Sequence, residues 1–185
     1  MQESSLVALA VPPTLAVVRA APSDRLGAPT PCGDWTVQQL VDHQLQWGPA
    51  LVAAARKELL TPDPVSGGRL ADLEAHLAAV AAAWREPAAW TGVTRMGGPM
   101  ELPATMIGGM VLGEVVVHGW DLAVATGQRP EWPAELLEFV HEEVAKTAEQ
   151  GRAMDVYGPA VTVPDDAPLL DRILGLTGRD PKWRP

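Results

Sequence analysis

The sequence has few cysteines and few basic residues. Its 185 residues contain one cysteine, and 14 lysines and arginines are outnumbered by 23 acidic residues, which gives a net charge of −9. One cysteine cannot close a disulfide within the chain or build a cysteine-based zinc cage, so any metal must be held mainly by histidines and carboxylates. The acidic balance also lacks the basic surface that binds nucleic acid, and we expect no nucleic-acid partner.

Hydrophobic runs long enough to cross a membrane are also lacking. Residues 6–18 follow an acidic leader and are interrupted by Pro12 and Pro13, which argues against a signal peptide. Residues 106–117 contain Glu114 and fall well short of the roughly 20 residues that span a bilayer. We therefore expect a cytoplasmic protein without a membrane partner, folded as a single domain over residues 1–185.

Proline and glycine, by contrast, are abundant and divide the chain into segments. Within those segments apolar residues recur at the three- and four-residue spacing of helices, so an all-α fold is expected. The first helix either bends or begins at Pro12 and Pro13, and residues 93–102 fit either a small hairpin or an irregular loop. Thr36 and Gln39 predict a capping box at the start of the second helix. The predicted helices lie within residues 4–21, 36–60, 69–85, 103–126, 133–152 and 168–176.

Three chemically active residues share one face of the predicted fourth helix. Glu114 and His118 are four positions apart and Asp121 is three beyond His118, so all three project from the side that also carries the apolar stripe. A buried carboxylate needs a partner, and inward-facing carboxylate and histidine side chains are a recurring way to hold a metal inside a helix bundle. His43, at the edge of the second helix's apolar stripe, supplies a third ligand. Zinc, nickel or iron fits two histidines and one carboxylate.

The same residue types also allow simpler interpretations. A glutamate and a histidine four residues apart form ordinary pairs on many helices. Asp121 is an intrahelical partner, the acceptor of the distal N–H of His118, or a residue that positions a substrate. His76 and His141 lie beside charged residues and are expected to be solvated. Cys32, in a turn before the second helix, is expected to be a packing residue rather than a redox thiol.

Two motifs carry a resemblance to a known family. The first combines TPCGDWTV at residues 30–37 with LVDH at 40–43, and the second is EVVVHGWDLAVATG at 114–127. The ending is similar as well, with YGP at 157–159 and GRDP at 178–181. Together these residues resemble the DinB/YfiT-like superfamily. More narrowly, they resemble the actinobacterial metal-binding proteins related to the metal-binding domain of mycothiol-dependent maleylpyruvate isomerase, in the uncharacterised single-domain branch.

The resemblance implies a DinB-like four-helix bundle with up-down-down-up connectivity that binds a divalent metal, usually zinc. Carried over by position, the metal ligands are His43, Glu114 and His118. The resemblance also implies a low-molecular-weight thiol such as mycothiol as co-substrate, which a metal-dependent thiol S-transferase would join to an electrophile. For that function Asp121 is the candidate catalytic residue, and Trp47 and Trp120 are the candidates to line the thiol pocket.

Two alternatives stay open at this point. The first is a non-catalytic metal-containing binding or stress-response module, which would suit a homodimer formed through an exposed face of the bundle. The second is a purely structural bundle that holds no metal.

Overall fold

The computed structural model describes residues 2–185, and those residues form six α-helices and one small two-stranded sheet. The all-α, DinB-like bundle expected from the sequence is confirmed. Short 3₁₀ turns lie at Ser23–Arg25 and Pro87–Trp90. The main elements are α1 (Glu3–Ala20), α2 (Val37–Ala55), α3 (Leu70–Trp84), β1 (Val93–Thr94), β2 (Leu102–Pro103), α4 (Ala104–Ala125), α5 (Ala134–Ala153) and α6 (Leu169–Leu176).

Helix α1 is continuous through Pro12 and Pro13, so it neither begins nor stops there. Proline has no backbone N–H, and the carbonyls four residues before each proline therefore lose their usual intrahelical donors. Tertiary packing compensates for this loss, because α1 lies against both α3 and α4. Trp132 adds a further restraint, since its Nε1 donates to the Ala10 carbonyl over 3.1 Å.

Helix α2 begins as predicted but ends earlier. Thr36 Oγ1 accepts from the Gln39 backbone N over 3.3 Å, and the Gln39 side chain accepts from the Thr36 backbone N over 2.9 Å, which completes the capping box. The spacing predicts a helix to about residue 60, whereas α2 stops at Ala55. The reason is Lys57, whose φ of 64° lies in the left-handed region that closes a helix.

Strands β1 and β2 pair in antiparallel register, so residues 93–102 belong to a hairpin rather than an irregular loop. Thr94 ties the hairpin to α2, because its buried Oγ1 donates to the Ala54 carbonyl over 2.6 Å. At the turn, Gly97 has a φ of 69°, and a Cβ there would lie 2.6 Å from Cζ3 of Trp47. Only glycine fits this approach, which holds the turn against α2 one helical turn beyond His43.

Helix α4 is the central helix of the bundle. It packs against α1, α2 and α5, and 83% of its most apolar stretch is buried. The apolar runs were expected to be too short to cross a membrane, but the helices that contain them, α1 and α4, are long and apolar enough by length and composition alone. Most of α4 is buried among the other helices, as the core helix of a bundle is.

Two histidines expected to be solvated are instead partly covered. His76, on α3, is half-buried, and its ring faces the backbone of Gly48, where a Cβ would lie 2.4 Å away. Burial lowers the pKa of His76 to about 4, so it is neutral at physiological pH. His141 on α5 is also half-buried, and burial lowers its pKa from the usual value. The neighbouring residues in the sequence did not predict the burial of these two histidines, because the residues that cover them come from other elements.

Two glycines of α4 separate the effect of available space from that of helix propensity. A Cβ at Gly108 would lie 2.3 Å from Cζ3 of Trp90, whereas one at Gly113 would meet Cγ2 of Val144 at 3.8 Å. We expect Gly108→Ala to lower the free energy of unfolding by about 1–3 kcal/mol through overpacking. Gly113→Ala is the matched control and should leave it unchanged or raise it by up to about 1 kcal/mol, because alanine favours the helix. Urea unfolding measures both, and equal effects would contradict this account of α4 packing.

Candidate metal centre

Helices α2 and α4 bring the three predicted ligands together. His43 comes from α2, Glu114 and His118 come from α4, and their ligand atoms all lie within 4.8 Å of one another. Glu114 Oε2 is 3.2 Å from His118 Nε2 and 3.7 Å from His43 Nε2. The two imidazole rings meet edge to face, with centroids 5.1 Å apart. Two ring nitrogens around a shared carboxylate oxygen match the donor set of a divalent transition metal.

This cluster is closed on one side and accessible on the other. The His118 side chain is only 7% exposed, whereas those of Glu114 and His43 are 31% and 24% exposed. Bulk water is therefore kept from most of His118, while a small ligand could approach beside Glu114 and His43. An accessible position of this kind is typical of a catalytic metal site rather than of a closed structural one.

The charges within the cluster stabilise one another. Burial alone would raise the pKa of Glu114, but His118 and His43 outweigh burial and hold it well below its usual range. Burial alone would lower the pKa of His118, but the carboxylates of Glu114 and Asp121 raise it to about 9. His118 is therefore protonated at neutral pH, and a metal that binds at Nε2 would take the place of that proton.

Asp121 orients His118 from the opposite edge of the ring. It is fully buried, and its Oδ2 lies 3.0 Å from His118 Nδ1. A carboxylate can only accept, so Nδ1 carries a hydrogen and Nε2 is the atom presented to Glu114. The contact is a pair between residues three apart on α4, and it also places a carboxylate at the distal nitrogen of His118, so Asp121 is both an intrahelical partner and an acceptor for that N–H.

The Asp121 carboxylate is balanced by a residue that sequence reasoning missed. Arg179 follows α6, is 6% exposed, and places Nη2 3.1 Å from Asp121 Oδ2 and Nε 3.4 Å from Oδ1. The same Nη2 lies 3.0 Å from Cys32 Sγ. Arg179 is part of the terminal GRDP motif, but its partner is 58 positions away, and no local spacing indicates such a contact.

Cys32 lies against the centre and does more than pack into its turn. Its sulfur forms a second group with ligand atoms of His118 and Asp121, all within 4.8 Å of one another. Burial is the main influence on this thiol and raises its pKa to about 11, although Arg179 opposes the shift. Cys32 is therefore a neutral thiol at physiological pH and a poor nucleophile, in line with the expectation that it is no redox thiol.

The tryptophans near the centre include one that was not singled out in the sequence. Trp120 is 7% exposed and belongs to the hydrophobic core. Trp47 is half-buried and packs on Gly97 of the hairpin turn. Trp35, which had no assigned role, contacts a ligand directly: its ring centroid is 4.8 Å from that of His43, at an interplanar angle of 49°. Its place in the TPCGDWTV motif was the only signal that could have pointed to it.

Tyr157 is a further neighbour that sequence reasoning did not assign. It is half-buried, and a Cβ at Gly151 would lie 2.6 Å from its ring, so the end of α5 packs directly on it. Burial, assisted by the nearby charge of Glu114, raises the pKa of Tyr157 to about 12. The phenol therefore stays neutral and keeps its proton at physiological pH.

The chain is similar to several known proteins. The family model of the mycothiol maleylpyruvate isomerase N-terminal domain matches residues 9–123, which include all three predicted ligands. Two uncharacterised proteins of Mycobacterium tuberculosis, MT0763 and Rv0738, are each 37% identical over 172 residues, or 89% of this chain and 89% of each relative. The crystal structure of the mycothiol-dependent maleylpyruvate isomerase matches with a TM-score of 0.57 at 22% identity, over 80% of this chain and 71% of that chain. At that identity, the structural likeness concerns the fold.

The buried pair of Asp121 and Arg179 leads to a stability prediction. We expect Asp121→Asn to lower the free energy of unfolding by about 3–5 kcal/mol, because the Arg179 guanidinium is left buried without a counter-charge. The control Glu101→Gln removes one partner of an exposed pair with Arg95 and should change stability little. Chemical denaturation of the metal-free proteins compares them. If Asp121→Asn lowered the free energy of unfolding no more than Glu101→Gln does, the buried pair would not stabilise the fold as we infer.

Proposed function

Because the chain belongs to the mycothiol maleylpyruvate isomerase N-terminal domain family, we propose that it is a metal-dependent thiol S-transferase. His43, Glu114 and His118 hold a divalent cation. Zinc is the first choice for this donor set, and nickel and iron are chemically compatible. A low-molecular-weight thiol of the mycothiol type is the co-substrate, and an electrophilic small molecule is the acceptor.

The observation that carries the metal assignment is the position of His43. An ordinary helical ion pair needs only Glu114 and His118, which lie one turn apart on α4. His43 comes from another helix and yet directs its Nε2 to the same Glu114 oxygen, at 3.7 Å. Convergence of donors from two helices on one atom supports a ligand set, because a pair on one helix would need no third member.

A cation bound at these ligands would lower the pKa of a coordinated thiol and so supply a thiolate at neutral pH. Asp121 keeps Nε2 of His118 directed toward the ligand set, so its proposed role is to position the ligand rather than to contact substrate. The S–H bond of the thiol breaks and its proton passes to water. The sulfur forms a bond to an electrophilic carbon, which either releases its leaving group or, in an addition, passes the electrons of its π bond to a neighbouring atom that takes up a proton.

Aromatic side chains on one side of the centre support a pocket for the thiol. Trp35 lies against His43, and Trp47 stands one turn further along α2, against the hairpin. Their half-buried rings suit the apolar part of a small ligand. Trp120 is 7% exposed and packs in the core, so we assign the pocket first to Trp35 and Trp47, which are more exposed.

Metal titration tests the ligand set. Metal-free protein should bind one Zn²⁺ per chain, as measured by calorimetry and elemental analysis. His118→Ala and His43→Ala should each weaken binding by more than the roughly 10–100-fold that loss of an outer hydrogen-bond partner causes. His141→Ala, a histidine on α5 outside the cluster, is the matched control and should bind like the wild type. Full metal occupancy in His118→Ala would refute the assignment.

Thiol turnover tests the enzyme proposal. Metal-loaded protein should consume mycothiol when offered an electrophile, and both metal-free protein and Glu114→Gln should fail to do so. Loss of thiol and formation of the thioether are followed by mass spectrometry, with His141→Ala again as the active control. A protein that binds metal but neither binds nor consumes thiol across a broad set of electrophiles would be a non-catalytic metal-containing module. A protein without stoichiometric metal would be a structural bundle.

A further inference from the structure

We propose that Arg179 selects which of two overlapping ligand sets receives the cation. The inference rests on the metal site proposed above and deepens it. The two sets share His118 and lie on opposite edges of its ring. Glu114, which also lies beside His43, faces Nε2, whereas Asp121 faces Nδ1 and Cys32 belongs to the same group as Asp121.

The second set would compete for a metal if nothing prevented it. Cysteine sulfur, a histidine nitrogen and a carboxylate oxygen are all good zinc ligands, and a thiolate binds soft metals more strongly than a carboxylate does. Cys32, His118 and Asp121 offer one such atom each within 4.8 Å, the same limit that the first set meets. Geometry alone therefore does not decide between the two sets.

The guanidinium of Arg179 excludes a metal from the second set, because it already lies where that cation would have to bind. Its Nη2 is 3.1 Å from Asp121 Oδ2 and 3.0 Å from Cys32 Sγ, so it contacts both ligands that are unique to the second set. A divalent cation beside this buried positive charge would be repelled with little screening by water. The first set has no cationic residue bonded to its carboxylate besides its own histidines, among the described residues.

Arg179 is held in place by the backbone around it. Its Nη1 donates to the Thr177 carbonyl over 2.7 Å, and its own N–H donates to the Leu174 carbonyl over 2.8 Å. The preceding Gly178 has a φ of 82°, and a Cβ there would lie 2.9 Å from the Gly158 backbone, so only glycine is accommodated. The side chain therefore extends from a fixed turn rather than from a flexible end.

This selecting residue lies outside the part of the chain that the family model matches, which ends at residue 123. The ligands His43, Glu114 and His118 lie inside that part. The residue that keeps the cation on those ligands is thus supplied by the C-terminal part of the chain. We therefore regard Arg179 as a residue that positions the metal and does not contact substrate.

Cobalt titration of the full-length protein tests the proposal, because Co²⁺ bound to a thiolate gives a near-ultraviolet charge-transfer band. The wild type should bind Co²⁺ without this band, and Cys32→Ser should bind it with affinity within about twofold of the wild type. Arg179→Gln should show the band. His43→Ala made in the Arg179→Gln variant should weaken Co²⁺ binding by less than about threefold. The same substitution in the wild type should weaken it by more than roughly tenfold.

Three further variants serve as controls. Cys32→Ser in the Arg179→Gln background should remove the band. Arg152→Gln loses a different C-terminal contact, the bond from its Nη1 to the Leu176 carbonyl at 3.0 Å, and should keep the wild-type spectrum. Arg179→Lys replaces Arg179→Gln if the latter fails to fold. Lysine keeps the positive charge but lacks the planar guanidinium that contacts both Asp121 and Cys32. The Arg179→Lys variant should therefore show the same band at lower intensity.

The outcomes separate this inference from the proposed function. Failure of the wild type to bind any cation would overturn both. Normal binding by the wild type, lost on His118→Ala, together with identical spectra for the wild type and the folded Arg179 variants, would overturn the inference alone. A thiolate band in the wild type would overturn it too, because Cys32 would already be a ligand. The band in Arg179 variants, with its dependence on Cys32, would establish it.

Discussion

The structure depends on one buried carboxylate. Asp121 has no exposed surface, and removing a carboxylate from water costs several kcal/mol unless charged partners replace the lost hydration. His118 supplies one partner from α4 itself, and Arg179 supplies the other from the turn after α6. The contact with Arg179 also joins Cys32, in the turn before α2, to the same group. The Asp121 carboxylate thereby holds together α4, the turn before α2 and the turn after α6. It also fixes the orientation of His118.

The features that local sequence determines could be predicted. Helix positions follow from apolar spacing between proline and glycine joints, and the Thr36 capping box follows from two side chains three residues apart. Glu114 and His118 share a face because of the helical repeat. Features set by other elements could not be predicted. The early end of α2 depends on a left-handed Lys57, a conformation that non-glycine residues seldom adopt. The contact of Arg179 with Asp121 joins residues 58 positions apart, and no periodicity predicts it.

Under the proposed function, the reactive nucleophile has to come from outside the protein. Its single thiol, Cys32, is neutral and bonded to Arg179, and its single phenol, Tyr157, is also neutral. His118 is held between two carboxylates by its ring nitrogens. The accessible side beside Glu114 and His43 is therefore the place where a reactive group would have to be brought in. That arrangement fits a centre that activates a ligand better than one that attacks with a side chain.

The contact between Cys32 and Arg179 joins residues 147 positions apart and so closes a loop over most of the chain. During synthesis the N-terminal residues emerge first, and all three ligands are made long before the arginine that organises their surroundings. Until α6 and the turn after it dock, Asp121 lacks its contact with Arg179 and has only His118 as a charged partner. The surroundings of Asp121 are consequently completed only after the C-terminal part of the chain has packed against the turn that holds Cys32.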